Sequence, residues 1–308
     1  MIPLYKVGVD IGGTKTDAVA IDEQGVIAAQ VRVRSGIGPV ALVASTVQAL
    51  EELASRVGVS TIDFTSIGIG IPGTVVDGRV SHAVNLAIDG LDLGAELDAR
   101  LGRSVSIDND VNAAALGAFH LLENDSRHSM AFLNLGTGLA AGLVLGGKLW
   151  RGARGAAGEI GHVPIDPNGL ECRCGQRGCL ETAASGSGVA RMWPTDSDQP
   201  TTALFEAAAS GDSAAIAVRT RLVESVASAV RMLVLTIDVD SVVLGGGVST
   251  LTDLLDDVRA VLSRWETNSA FLASIGLSGR VHGLPQEFPA AAVGAAMVSS
   301  ERVANWLK

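Results

Sequence analysis

Aromatic residues are scarce in this chain: one tyrosine, four tryptophans and six phenylalanines among 308 residues. Its core must therefore be built mostly from alanine, valine, leucine and isoleucine. Charge is thin as well, at 18% of residues against 47% hydrophobic, a balance that excludes an intrinsically disordered chain. Basic residues are the smaller share, 23 against 33 acidic, for a net charge of −10. Such a surface repels phosphate backbones and argues against a nucleic-acid partner. No apolar run is uninterrupted enough for a membrane span. The longest, residues 130–149, contains Asn134, Thr137 and five glycines, and reads as strand–turn–strand. The opening MIPLYKVGVDIGG reaches acidic and glycine residues too early for a secretory leader, so a cytoplasmic protein is expected. The length suits two domains, each with a sizeable core.

Cysteine is rarer still, and its placement is informative. All three, Cys172, Cys174 and Cys179, fall within eight positions, shortly after His162, one of five histidines. Three clustered thiols cannot form a secreted disulfide framework, whereas a reducing compartment suits thiolates bound to metal. With the imidazole they make a Cys3His set, the closed tetrahedral kind that holds structural zinc. The plain alternative, three unrelated thiols and an unrelated histidine, does not account for the clustering. Gly169, Gly175 and Gly178 let the backbone turn tightly around such a centre. Glu159 and Glu181 flank the ligand set.

Along the chain, Val7, Val9 and Ile11, then Ala18 to Ile21, are two apolar runs around Gly12–Thr16, GGTKT. This predicts a glycine-turned hairpin open to a phosphate, with Asp10 ending the first strand. It is not a P-loop, since G-x-x-x-x-G-K-[ST] is absent. Residues 39–57 have a helical period, with Pro39 at the start and Gly58 past the end. Residues 66–73, SIGIGIPG, read as a buried strand closing on a Pro72–Gly73 turn. Residues 75–80 and 104–107 read as strands and 91–101 as a helix. At residues 107–118, IDNDVNAAALGA, a strand hands over to an alanine-rich helix. Asn109 and Asp110 stand at its start, where amides and carboxylates are favoured, and D-N-D-x-N carries more polar groups than a cap needs.

Residues 130–149 repeat the first pattern, with Gly136-Thr137-Gly138 in the turn. Two like halves, each offering a glycine hairpin, suit a nucleotide clamped between them. Residues 193–202 read as a loop, and 203–236 as two helical segments broken near Gly211. Residues 241–249, SVVLGGGVS, read as a buried strand and a triple glycine where a flat ligand can approach the backbone. Residues 251–265 and 290–307 read as helices.

Together these stretches resemble the ROK family of sugar kinases (repressor, open reading frame, kinase), across essentially the whole chain. The most specific elements are G-E-x-G-H at 158–162 and C-x-C-G-x-x-G-C-L-E at 172–181. The resemblance implies an α/β fold, the duplicated ribonuclease-H-like fold of actin, Hsp70 and hexokinase, with two domains and a cleft between the halves. The first domain is expected at 1–117 plus 293–308, the second at 118–292. ATP, Mg2+ and a structural Zn2+ are the implied cofactors, and a homodimer the implied assembly, with no nucleic acid or membrane. By motif, Asp110 matches the catalytic base. Gly73, Asn85, Asn109, Glu159, His162 and Glu181 match the sugar side, and His162 also joins Cys172, Cys174 and Cys179 as a zinc ligand. Asp10, Gly12, Gly13, Thr14 and Lys15 match the first phosphate segment, with Asp10 near the magnesium. Gly136, Thr137 and Gly138 match the second, and Gly245, Gly246 and Gly247 the adenosine segment. Two departures stand out. Ala118 replaces an acid common after A-L-G, and Ala87–Gly90 replaces a stretch that often carries tryptophan.

The implied reaction is ATP plus hexose giving hexose 6-phosphate plus ADP. Glucose is the default sugar, with N-acetylmannosamine, N-acetylglucosamine, fructose, allose and mannose as alternatives. Asp110, at a helix start, is expected to be ionised and weakly basic, orienting the 6-hydroxyl more than deprotonating it early. Three rivals fit less well. A sugar-responsive repressor would need a DNA-binding region ahead of Asp10. A non-catalytic sugar sensor would not need Asp10, Asp110 and both phosphate turns intact. An actin- or Hsp70-like ATPase leaves the sugar-side acids unexplained.

Overall fold

Lys6–Ile11 (β1) and Lys15–Ile21 (β2) form the first hairpin, and Ile27–Arg34 (β3) extends it on the far side of β2. The computed structural model describes residues 4–123, 125–285 and 287–298. Helix α1, Pro39–Val57, covers the expected helical period. It starts on a proline, which lacks the N–H that a first turn cannot use, and stops at Gly58 in the left-handed region. Strands Ser66–Ile71 (β4), Thr74–Val76 (β5), Arg79–Ser81 (β6) and Leu91–Asp92 (β7) follow. Helix α2, Leu93–Leu101, is capped by Asp92 and buries Leu93, Leu97 and Leu101 at helical spacing. Strand β8, Ser106–Asn109, runs directly into helix α3, Asp110–Leu122. The main sheet has the order β3-β2-β1-β4-β8, antiparallel through β1 and parallel beyond it. Strands β5, β6 and β7 form a small sheet of their own.

The same plan then repeats. Met130–Leu135 (β9), Leu139–Leu145 (β10) and Lys148–Leu149 (β11) form an antiparallel set. After the cysteine-bearing loop come helices Glu181–Ala184 (α4), Gly186–Met192 (α5), Pro200–Ala209 (α6) and Ser213–Ile237 (α7). Strand β12, Ser241–Gly245, helices Leu254–Thr267 (α8) and Ala270–Ile275 (α9), and strand β13, Val281–Gly283, complete it. The order β11-β10-β9-β12-β13, again antiparallel then parallel, matches the first sheet strand for strand. Each sheet has its own aliphatic core. No helix among the described residues is long and apolar enough to cross a membrane.

The last helix, α10 at Ala290–Val298, returns to the first sheet. The two units are Met1–Asn124 with Pro289–Lys308, and Asp125–Phe288. The changeovers expected at 117/118 and 292/293 would cut α3 and α10. Residues 299–307 of the expected final helix lie outside the described residues. Residues 200–202 are not loop: Pro200 opens α6. The helix expected from 251 starts at Leu254, because Gly247–Thr250 forms a separate 3-10 turn. Strands β3 and β13 and helices α4, α5 and α9 go beyond the expected elements; β13 and α9 are short and mostly half-exposed, so they give no clean period.

Helix α10 sits unusually close to its neighbours. A Cβ on Gly8 of β1 would stand 1.8 Å from the Ala292 carbonyl oxygen, and one on Gly68 of β4 1.8 Å from that of Ala295. A Cβ on Gly294 would stand 1.7 Å from the Ala113 carbonyl oxygen of α3. Backbone fills the space a side chain would take, so Gly294→Ala sets a clash against better helix propensity. Propensity favours alanine by about 1 kcal/mol, and overpacking against backbone costs about 3 kcal/mol or more. Net destabilisation of about 2 kcal/mol or more is expected as a lower urea midpoint. An unmoved midpoint would mean that α3 and α10 are not in contact.

Candidate active site

In the first turn, the Gly12 N–H donates to the Lys15 carbonyl at 2.9 Å. The Gly13 and Thr14 N–H groups have no acceptor among the described residues. Asn85 lies beside this turn, its Cβ 3.4 Å from where a Cβ on Gly13 would be. Asn109 caps α3: its Oδ1 accepts from the Val111 and Asn112 N–H groups at 2.9 and 3.3 Å. Its Nδ2 donates to the Gly73 carbonyl at 3.0 Å, leaving one N–H for a ligand. Gly73 itself has φ +100°, which the Pro72–Gly73 turn requires. Behind it the buried Asp108 accepts from the Asn109 N–H at 2.7 Å and from Asn112 Nδ2 at 3.1 Å.

Asp10 and Asp110 concentrate the negative charge. Burial pushes Asp10 up to about 7, with Asp110 and Asp17 adding to the effect and Lys15 opposing it. Asp17 faces Asp10 across the β1–β2 register and is paired with Arg32 Nε at 2.6 Å. Asp110 is raised as well. Burial is the largest cause, and the hydrogen bonds from the Val111 N–H and its own N–H pull the other way without cancelling it. The expectation of a weakly basic Asp110 is corrected in direction: desolvation outweighs the helix start and raises its proton affinity.

In the second unit, His162, Cys172, Cys174 and Cys179 place one donor atom each within 4.8 Å of all the others. Cys174 Sγ and Cys179 Sγ are 3.7 Å apart, and so are Cys172 Sγ and His162 Nδ1. A tetrahedron with metal–sulfur bonds of about 2.3 Å has sulfur–sulfur edges of about 3.8 Å, so the donor set fits zinc. Backbone and side-chain N–H groups of Gln176 pull the Cys174 thiol down to about 6, while burial pushes Cys179 up to about 12. The two nitrogens of His162 have different neighbours: Nδ1 is at the cluster and Nε2 is 3.9 Å from Glu159 Oε2.

Glu181, two residues after Cys179, opens α4. Its Oε2 accepts from the Leu139 N–H at 3.1 Å, just past the second glycine turn. Within that turn the Gly136 N–H donates to the Gly138 carbonyl at 3.1 Å, and the Thr137 and Gly138 N–H groups have no acceptor among the described residues. The third glycine segment adjoins it. A Cβ on Gly246, φ +82°, would stand 2.6 Å from the Leu135 carbonyl oxygen, whereas Gly247 faces open space. The Cβ position of Gly245 is taken by the Phe132 ring.

Within the first unit, then, the Gly12–Lys15 turn, Asn85, Gly73, Asn109 and the Asp10–Asp110 pair gather. Within the second, so do Glu159 with His162, and Glu181 with the Gly136–Gly138 turn, which the third glycine segment adjoins. Sequence reasoning missed Asp17, which looks like one more strand residue, and Gly186 and Ser187, which bond the second turn. The SGSG run at 185–188, directly after the cysteine motif, was the available signal for that pair. Ala118 is wholly buried in α3, where a carboxylate would need a partner.

This fold and this set of turns belong to a known class. The family model described as ROK family matches residues 6–298. A glucokinase of Halalkalibacterium halodurans is 32% identical, over 82% of each chain. An N-acetylmannosamine kinase of Vibrio cholerae is 34% identical, over 83% of this chain and 88% of that one. A Streptomyces griseus ROK family glucokinase, solved in complex with glucose and AMPPNP, superposes with a TM-score of 0.75 at 30% identity, covering 96% and 98% of the two chains. The chain belongs to the ROK family, and at this level of likeness it is a sugar kinase with the two-domain, actin-like fold of its neighbours.

The raised Asp10 has a consequence for stability. Its folded value of about 7 lies above the ordinary 3.8, so the fold resists its ionisation. The associated stability is complete below the unfolded value and is lost as pH rises through the folded one. Without nucleotide or metal, Asp10→Asn should gain on the order of 1–3 kcal/mol relative to wild type between pH 5 and pH 8. Denaturant titrations at the two pH values measure it. A constant difference would show that Asp10 ionises freely.

Proposed function

We propose that this kinase transfers the γ-phosphoryl group of ATP to the 6-hydroxyl of a hexose, with glucose as default substrate and Asp110 as general base. The observation that carries the reading is Asp110 itself: a carboxylate held by a capped helix start, with raised proton affinity, in the same unit as an open glycine turn. As the O6–H proton passes to Asp110, O6 attacks the γ-phosphorus and the bond to the ADP oxygen breaks. A carboxylate that holds protons better than usual is a stronger base than a fully ionised surface acid. The acid limb of kcat should accordingly lie above the ordinary carboxylate range.

Glu159, His162 through Nε2, Glu181, Asn85 and the remaining N–H of Asn109 are assigned to the sugar hydroxyls, with Gly73 shaping their edge. Acids aimed at hydroxyls select a polyol ring, because an apolar ligand leaves them unpaired. The Gly12–Lys15 and Gly136–Gly138 turns are assigned to the phosphates and Gly245–Gly247 to adenosine, supported by the free N–H groups and the open face at Gly247. Magnesium, carried with ATP, would supply the counter-charge that the Asp10–Asp110 pair lacks. Cys172, Cys174, Cys179 and Nδ1 of His162 would hold zinc, which would fix the loop between Glu159 and Glu181. Thiolates kept for metal suit a reducing compartment, and the cytosol is assigned on that ground. A homodimer is assigned by family resemblance, and the acidic net charge speaks against a nucleic-acid role.

The likeness to the N-acetylmannosamine kinase supports a second reading, an N-acetylhexosamine kinase. A coupled ADP-release assay over a hexose panel decides between them. Glucose turnover carries the first reading, N-acetylhexosamine turnover the second, and fructose or allose a third specificity. No turnover on any sugar would favour a sensor. Asp110→Asn should lose at least about 10²-fold in kcat with sugar binding largely retained; near-normal turnover removes Asp110 from the mechanism. Cys174→Ala should lose the bound metal, read by elemental analysis, and raise sugar KM. Unchanged KM with no metal would make the cluster dispensable.

A further inference from the structure

One carboxylate oxygen of Glu181 is already engaged within the second unit. Oε2 accepts the N–H of Leu139, the residue that follows the second glycine turn, at 3.1 Å. Gly138 leaves room for that oxygen, since a Cβ there would stand only 2.6 Å from it. Two further bonds tie the same turn to the chain just beyond Glu181. The Gly186 N–H donates to the Gly136 carbonyl at 2.9 Å, and the Ser187 N–H to the Thr137 carbonyl at 3.1 Å. On its other side Glu181 is anchored by buried Leu180, whose N–H donates to the Val163 carbonyl at 3.0 Å next to His162. A neutral carbonyl would satisfy the Leu139 N–H equally well. An acid reaching out of the cysteine loop does so instead.

We propose that Glu181 is a positioning residue for the phosphate turn as well as a sugar contact, so that sugar and nucleotide affinities are linked through one carboxylate. The inference rests on the sugar-contact reading of Glu181 given above. A sugar hydroxyl donating to Oε1 restrains the carboxylate. A restrained carboxylate holds the Leu139 N–H, and with it the turn, in the arrangement that leaves the Thr137 and Gly138 N–H groups free for phosphate. Linkage of this kind is reciprocal: whatever the sugar does for nucleotide affinity, the nucleotide does for sugar affinity.

Three variants of the full-length protein separate the two roles. Calorimetry with Mg–AMPPNP in the absence of sugar is paired with sugar KM, and melting curves and metal content verify that each variant folds. Glu181→Gln keeps an oxygen for the Leu139 N–H but replaces the second acceptor oxygen by an amide donor. Its nucleotide Kd should stay within about twofold of wild type while sugar KM rises about tenfold or more. Glu181→Ala loses both contacts, and nucleotide Kd should rise about tenfold as well. Gly138→Ala, in the phosphate turn, pushes Oε2 aside and should raise sugar KM by about fivefold or more. The proposal is overturned if Glu181→Ala binds nucleotide as wild type does, or if Gly138→Ala leaves sugar KM unmoved. A fall in nucleotide affinity with sugar KM unmoved in both Glu181 variants also overturns the linkage, by removing Glu181 from the sugar. That failure would belong to the earlier reading and not to the turn contact.

Discussion

Negative charge that the first unit cannot neutralise from its own side chains is the constraint on which its design turns. Asp110 and Asp17 both add to the negative field on Asp10, Lys15 opposes it, and Arg32 pairs with Asp17. Arg32 is committed to Asp17, and Lys15 is exposed at the end of β2. Desolvation then does what a lone helix start would prevent, and leaves Asp10 and Asp110 with an appetite for protons or for a cation. A kinase can use both states. On the proposed reading, the nucleotide's metal would give Asp10 a counter-charge, and a sugar hydroxyl would give Asp110 a proton to accept. The cap network explains why Asp110 stays in place meanwhile: Asn109 and Asp108 engage most of their hydrogen-bonding capacity in holding the start of α3.

The second unit meets a different demand. Its loop from Gly155 to Leu180 contains almost no regular structure, so packing alone does not fix it. Cross-links do: the Cys3His cluster, the Asp166–Arg221 ion pair at 2.6 Å to helix α7, and the Arg177 guanidinium donating to the Gly169 carbonyl at 3.0 Å. Surface ion pairs of this sort contribute little on their own. A metal in the donor set would contribute on the order of 10 kcal/mol. On the zinc reading, the donor set would then hold the stretch between Glu159 and Glu181 in shape.

Much of this was legible along the chain because the signals are local. Glycine turns between apolar runs gave both hairpins, Pro39 and Gly58 bounded α1, and clustered cysteines with a nearby histidine marked the donor set. Family likeness then connected turns that no local rule connects. What stayed hidden depends on distance in the chain. The proton affinity of Asp110 follows from burial by elements far away in sequence, and helix-start reasoning alone pointed in the wrong direction. Asp17 becomes notable only when the β1–β2 register sets it opposite Asp10. Ser187 becomes notable only when its N–H meets the Thr137 carbonyl. Strand β3 is an exception: Gln30-Val31-Arg32-Val33-Arg34 alternates plainly, a local signal that sequence reasoning missed beside the apolar run of β2.

Helix α10 has an implication for how the protein is made. The second unit is one continuous stretch, Asp125–Phe288, whereas the first cannot close over Gly8 and Gly68 until residues 290–298 have been synthesised. During translation the cysteine loop and its sheet can therefore mature while β1, β4 and α3 still wait for their cover. A chain that ends before residue 290 would contain the whole donor cluster yet lack the helix that packs on β1, β4 and α3. Closure of the sheet that carries Asp10 and of the helix that carries Asp110 thus waits on residues 290–298.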